Sequence, residues 1–202
     1  MSDTVEPTDG RARRGAHSPP PGVRIERLPV ERLDEIEPLW RALLEHLVDL
    51  DSVVPIRPPD ESWPKRKANY AQYLEEPDSL LLVAVRDEAI VGYVMVHGQE
   101  WDEVWRTTPR FAEIETVSVA EAERGKGIGS ALLDAAEAEL EQLGIDDVVI
   151  GVDSVNEAAR LLYERRGFTV GYHLMHGRLS DRGKRRSNER PRPEGEATQV
   201  EP

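Results

Sequence analysis

The chain has 202 residues, no cysteine and a formal net charge of −13, with 39% hydrophobic and 32% charged residues. That length suits one domain with a full core and is short for two ordinary ones. The acidity argues against nucleic acid and anionic membranes as partners, and the missing cysteines exclude disulfides, thiol nucleophiles and cysteine-bound metals. No apolar N-terminal segment reads as a signal peptide and no stretch approaches a membrane span, so a soluble cytoplasmic protein is expected, as monomer or homodimer. Residues 1–21 and 181–202 are rich in Pro, Gly and Arg and have almost no large apolar side chains, so both read as disordered tails around a domain of residues 22–180. That central segment holds 17 Lys and Arg against 31 Asp and Glu, so it carries the acidity.

Val23 to Leu28 alternates and reads as a first strand. Leu33 to Leu50 has a helical apolar period, with its firm part after Pro38. Asp51 to Trp63 holds three prolines and reads as a loop. A second helix is expected from Trp63 to Leu74, starting near Ser62 with Pro64 in its first turn. Leu80 to Val85 and Ile90 to His97 read as two strands around the turn Arg86–Ala89. After a polar loop, Gly98 to Arg110, comes a strand from Ala112 to Val119. Ala131 to Leu143 is a helix stopped at Gly144, and Val148 to Val152 another strand. Asn156 to Arg166 is a last helix ended by Gly167, and Phe168 to Leu179 reads as the last strands. The fold class is thus α/β with a mixed sheet, in the order β-α-α-β-β-β-α-β-α-β.

The most informative stretch is Arg124-Gly125-Lys126-Gly127-Ile128-Gly129-Ser130, between a strand and a helix. Glycines let a backbone approach a ligand closely, and the first N–H groups of a helix lack internal partners and point outward with the positive end of its dipole. Strand, glycine turn and helix start in that order make an anion site. The spacing fits neither a Walker loop, since Gly127 follows Lys126 where Ser or Thr is needed, nor the dinucleotide Gly-x-Gly-x-x-Gly pattern. A tight turn with glycines for sterics alone is the plainer alternative.

Arg124-x-x-Gly127-x-Gly129 resembles the Arg/Gln-x-x-Gly-x-Gly/Ala signature of the GCN5-related N-acetyltransferase (GNAT) superfamily. Phe111 to Val119 resembles that family's fourth strand, and Asn156 to Phe168 its segment Asn-x-x-Ala-x-x-Leu-Tyr-x-x-x-Gly-Phe. The resemblance is motif-grade from Phe111 to Phe168 and extends as an architecture over about residues 23 to 180. It implies a single GNAT-type domain and acetyl-CoA as cosubstrate. The pyrophosphate would lie on the backbone of Arg124, Gly125, Lys126, Gly127, Ile128, Gly129 and Ser130, and backbone groups of Val117 and Val119 would hold the pantetheine arm. Packing alone would also account for the side chains of Val117 and Val119.

Asn156 and Tyr163 are seven apart, within about 20° of two full helical turns, so they share a face about 10 Å apart. The resemblance makes Tyr163 the general acid, or a donor to the leaving thiolate, and Asn156 a cofactor contact. A core-edge tyrosine and a helix N-cap are the structural alternatives. Glu113 and Glu115 share one face of an otherwise apolar strand. By resemblance Glu113 is a candidate base, Glu115 a second base or substrate ligand, and a water chain a third possibility. The five histidines are scattered and no metal is suggested. Acceptor contacts are expected from residues 49–61 and from 98–110, where Trp101 and Trp105 stand among Glu100, Asp102 and Glu103. The implied activity is direct acetyl transfer to a primary amine of a small molecule or peptide. A GNAT-fold module that binds acyl-CoA without turnover is the other reading.

Overall fold

A computed structural model describes residues 18–100 and 110–177. The two tails lie outside the described residues, apart from positions 18–21, and so does the loop with Trp101, Asp102, Glu103 and Trp105. The chain forms two compact units, the first ending at Arg160 and the second starting at Leu161.

In the first unit the strands β1 (Val23–Arg27), β2 (Leu80–Arg86), β3 (Ala89–Glu100), β4 (Arg110–Val119) and β5 (Val148–Ile150) form one sheet in chain order. The pairs from β1 to β4 are antiparallel, and β5 lies parallel to β4. A parallel pair needs a crossover, which α3 (Ile128–Gln142) supplies. The β2–β3 hairpin closes on Asp87 and Glu88, both at positive φ (48° and 63°). Two such residues give the turn whose twist matches the flanking strands.

The helical expectation after Leu33 divides in two. A 3-10 segment, Val30–Ile36, leads into α1 (Glu37–Asp49), and Pro38 sits in the first turn of α1, where its missing N–H costs nothing. Helix α2 (Pro59–Tyr73) starts earlier than the sequence suggested. Pro59 takes the first helical position, Asp60 and Glu61 complement the dipole there, and Pro64 lies inside the helix instead of opening it.

Helices α1 and α2 cover one face of the sheet. Leu39, Trp40 and Tyr70 are buried there against Val83, Tyr93 and Met95. Helix α3 covers the other face and buries Ile128, Leu132, Leu133 and Ala136. Each large side chain so buried contributes about 1.5–3 kcal/mol. Gly92 makes the approach of α3 possible, because a Cβ there would lie 3.2 Å from Leu132 and 3.3 Å from Ile128. Strand β2 is covered on both faces, which is why its sequence, Leu-Leu-Leu-Val-Ala-Val, does not alternate.

Helix α4 (Glu157–Arg165) runs across the boundary between the units. In the second unit Gly167 (φ +94°) ends it, with Phe168 N–H donating back to Tyr163 O at 3.0 Å. The strands expected from Phe168 onward do not form over residues 168–177. Val170, Tyr172, Leu174 and Met175 are exposed there, Leu174 by 92%, so the alternating apolar pattern finds no surface to cover. Among the described residues no helix is long and apolar enough to cross a membrane.

Candidate functional site

The glycine turn folds as its composition demands. Gly125 (φ +73°) and Gly127 (φ +85°) occupy left-handed conformations, and Gly127 is the N-cap of α3. Among the described residues no side chain caps that end, and no acidic residue lies in the first turn. The first intrahelical bond is Ala131 N–H to Gly127 O at 3.0 Å, so the N–H groups of Ile128, Gly129 and Ser130 precede the helical ladder. A Cβ on Gly125 would meet nothing within 4 Å, and the turn is exposed. Arg124 Nε donates to Val119 O at 3.2 Å and Lys126 Nζ pairs with Glu123 at 3.2 Å. Those bonds fix the two cations beside the turn. The arrangement is a backbone cradle with positive potential, fitted to a phosphate group.

Beside it β4 has an open edge. Its ladder with β5 stops at the pair Ile114–Ile150. Ala120 N–H bonds Val91 O on the β3 side, so by strand alternation the backbone groups of Val117 and Val119 point away from β3, where β5 has ended. They can take an added extended chain, as a pantetheine arm would be. The side chains of Val117 and Val119 are half-buried.

A bulge decides where the two glutamates go. Met95 faces Thr116 and Val96 faces Ile114, so Glu115 has no residue opposite it. Thr116 and Ser118 look toward the helices above, since Tyr70 Oη donates to Thr116 Oγ1 at 2.7 Å and Ser118 Oγ to Leu39 O at 3.0 Å. Strict alternation would put Glu113 and Glu115 on the opposite face from these residues. The extra residue instead brings both under α2. Glu115 pairs with Arg66, whose guanidinium lies 4.5 Å from the centre of the Trp40 ring, and Glu113 stands opposite His97. The two carboxylates do share a face, and the bulge selects which one.

His97 is the residue the sequence reading passed over. It is buried (5% exposed), and its ring stacks on Tyr73 of α2 with centroids 4.0 Å apart and planes at 6°. Its Nε2 lies 3.7 Å from a carboxylate oxygen of Glu113 and 3.7 Å from one of Glu115, with no hydrogen-bond partner among the described residues. Donor atoms of His97, Glu113 and Glu115 all fall within 4.8 Å of one another. Gln99 Nε2 donates to Glu113 at 2.5 Å. Burial pushes the His97 pKa down from its ordinary value, while the nearby Glu113 charge pulls it up and loses. The sequence holds a partial signal: His97 is the one histidine in the apolar run 90–97, and the strand register sets it opposite Glu113.

Asn156 Oδ1 accepts Ala159 N–H at 3.1 Å, so Asn156 is the N-cap of α4. Its amide nitrogen remains a donor. In the second unit Tyr163 is buried (7% exposed), packed edge-on against Phe168 at 5.8 Å between centroids. Burial raises its pKa to about 12, so its hydroxyl keeps its proton at neutral pH. Two surface hollows lie elsewhere. One, of about 310 Å³, is lined by Leu44, Val48, Ile56 and Pro58, within reach of the acceptor segment expected at 49–61. The other, of about 530 Å³, lies by Glu35, Pro38 and Ala120.

Comparison with known proteins identifies the family and the fold. A profile of the acetyltransferase (GNAT) family matches residues 40–168. A mycothiol acetyltransferase of Propionibacterium freudenreichii subsp. shermanii is 29% identical over 175 residues, covering 80% of this chain and 51% of that protein. Another, from Corynebacterium aurimucosum, is 40% identical over 63 residues, 31% of this chain and 21% of that one. The chain thus spans about half or less of the length of these curated relatives. Among solved structures, a GCN5-related N-acetyltransferase from Ralstonia eutropha has a TM-score of 0.64 at 18% identity, with 77% of this chain and 98% of that one covered. An aminoglycoside acetyltransferase from an uncultured soil sample, in complex with trehalose, has a TM-score of 0.57 at 20% identity over 78% and 95% of the two chains. The solved neighbours share the fold, and the family profile spans well over half of the chain: the chain belongs to the GNAT acetyltransferase family.

Proposed function

We propose that the chain is an N-acetyltransferase that moves an acetyl group from acetyl-CoA directly to a primary amine of a small molecule or peptide. The observation that carries this reading is the uncapped start of α3, with two left-handed glycines before it and an open β4 edge beside it. One end suits a pyrophosphate and the other an extended amide chain, and a coenzyme A thioester has both. Residues 124–130, Val117, Val119 and Asn156 are the cofactor contacts in this account. Glu113 and Glu115 face the cationic acceptor, and the Tyr163 hydroxyl supplies the proton for the leaving thiolate. Relatives named for mycothiol and for aminoglycosides support a polar small-molecule acceptor.

Calorimetry with acetyl-CoA tests the cradle. Gly129 is the second residue of α3 and has ordinary backbone angles, with 3.7 Å between a built Cβ and Val119. A glutamate there therefore suits the helix dipole, yet its carboxylate would repel a phosphate. Gly129→Glu is expected to fold as the wild type does and to lose acetyl-CoA binding by at least about tenfold, on the scale of one like-charge contact in a partly buried site. Equal affinity in the two proteins would remove the cofactor from this turn.

A further inference from the structure

We propose that His97 is the proton acceptor of this site, with Glu113 and Glu115 completing a three-point seat for the acceptor's ammonium group. The inference rests on the acetyl-transfer reading above and deepens it by moving the base from the acidic strand to its neighbour.

A buried polar atom without a partner is costly, so an orphan at a candidate site points to a ligand. His97 Nε2 is such an atom: buried, without a partner among the described residues, and 3.7 Å from one oxygen of each glutamate. Those gaps are too long for a hydrogen bond and leave room for one donor among the three atoms. An ammonium has three N–H donors, and here are three acceptors within 4.8 Å of one another. A nitrogen about 2.8 Å from each satisfies all three.

Charge selects the kind of cation. Glu113 and Glu115 bring two negative charges, the Arg66 guanidinium pairs with Glu115, and His97 is neutral when its pKa is lowered. The cluster therefore holds one net negative charge. A single ammonium neutralises it, whereas a divalent ion would leave it positive beside Arg66. Glu113 keeps 30% of its side-chain exposure, which opens the seat to solvent on that side.

The step itself is simple. One N–H bond of the ammonium breaks, its proton passes to His97 Nε2, and the electron pair stays on nitrogen as the nucleophile. The imidazolium so formed lies between two carboxylates that stabilise it, while Tyr73 holds the ring plane from above. The proton then leaves to water past Glu113. The groups that face His97 and set its titration are Glu113 and Glu115 from β4, Arg66 and Tyr73 from α2, and Asp78 from the turn before β2.

Two experiments on the full chain test this. In the first, the imidazole signals are followed by NMR against pH, with His97 assigned from His97→Gln and n-butylamine as the probe. Saturating n-butylammonium is expected to move the His97 titration to lower pH, because it donates to Nε2 and adds a positive charge. An unmoved titration, or one displaced only by zinc ions, overturns the proposal. In the second, release of free CoA with a pool of primary amines is measured against pH. The rate should rise through the His97 pKa, which burial lowers from its ordinary value. His97→Gln and His97→Asn should both remove that limb, with a loss on the order of 10²-fold. Glu113→Gln should keep the limb and shift it to lower pH, since Glu113 raises the His97 pKa. A limb that survives in both His97 variants and disappears in Glu113→Gln assigns the base to Glu113. Wild-type protein that releases no CoA from any amine counts against the transfer reading itself, and the NMR titration, which needs no turnover, still decides the place of His97.

Discussion

Tyr163 shows how one side chain can be read for chemistry. It is buried against Phe168, and its pKa is pushed up to about 12, so it stays protonated at every physiological pH. A group in that state can donate a proton and cannot serve as a base. Tyr163→Phe keeps the ring and removes only the hydroxyl. Turnover should drop on the order of 10²-fold with acetyl-CoA affinity almost unchanged, as calorimetry and initial rates would show. Unaltered turnover would leave Tyr163 a packing residue. Asn156, by contrast, is the N-cap of α4 through its side-chain oxygen, and in the proposed function its amide nitrogen is the group left to meet the cofactor.

At the scale of elements, the site depends on an irregularity that period-two reasoning misses. The helices, the central strands and the glycine turn were legible because each rests on a local rule, apolar period or glycine at positive φ, while proline misplaced the starts of α1 and α2. The bulge at Glu115 is a property of the pairing between β3 and β4, so the residues of β4 alone do not announce it. His97 escaped notice for the same reason, since only the register sets it opposite Glu113. The last strands failed differently, because an alternating pattern such as residues 168–177 needs a partner, and no local rule provides one. Strand β3 also carries a close approach that can be tested. A Cβ on Gly98 would fall inside the carboxyl group of Asp78, which is buried and accepts from Arg110 Nε at 2.8 Å. Gly98→Ala should therefore destabilise by about 1–3 kcal/mol in urea unfolding. Combined with Asp78→Ala it should cost less than the sum of the two single changes, because the clash disappears with the carboxyl group. Simple additivity would show that the two residues do not meet.

At the scale of the whole molecule, the charge of −13 bears on how an acceptor arrives. The tails are outside the described residues, and the central segment carries the acidity. An ammonium substrate would be drawn in by this field, and salt shortens its reach to about 8 Å at physiological ionic strength. KM for a cationic amine should then rise roughly two- to fivefold from low salt to about 0.5 M, with kcat nearly constant. A salt-independent KM would mean that the acidity serves solubility alone.

Acetyl transfer to an amine is the claim on which the rest depends, and it is tested most directly by thiol release. Purified full-length protein, acetyl-CoA and a pooled panel of primary amines should yield free CoA at a rate that scales with enzyme and requires the amines. The acetylated product should appear by mass spectrometry in equal amount. Gly129→Glu should lower both signals by at least about tenfold when acetyl-CoA is below saturation. Tight binding of acetyl-CoA with no amine-dependent release of CoA would contradict the account and leave the chain as an acyl-CoA-binding module of the same fold.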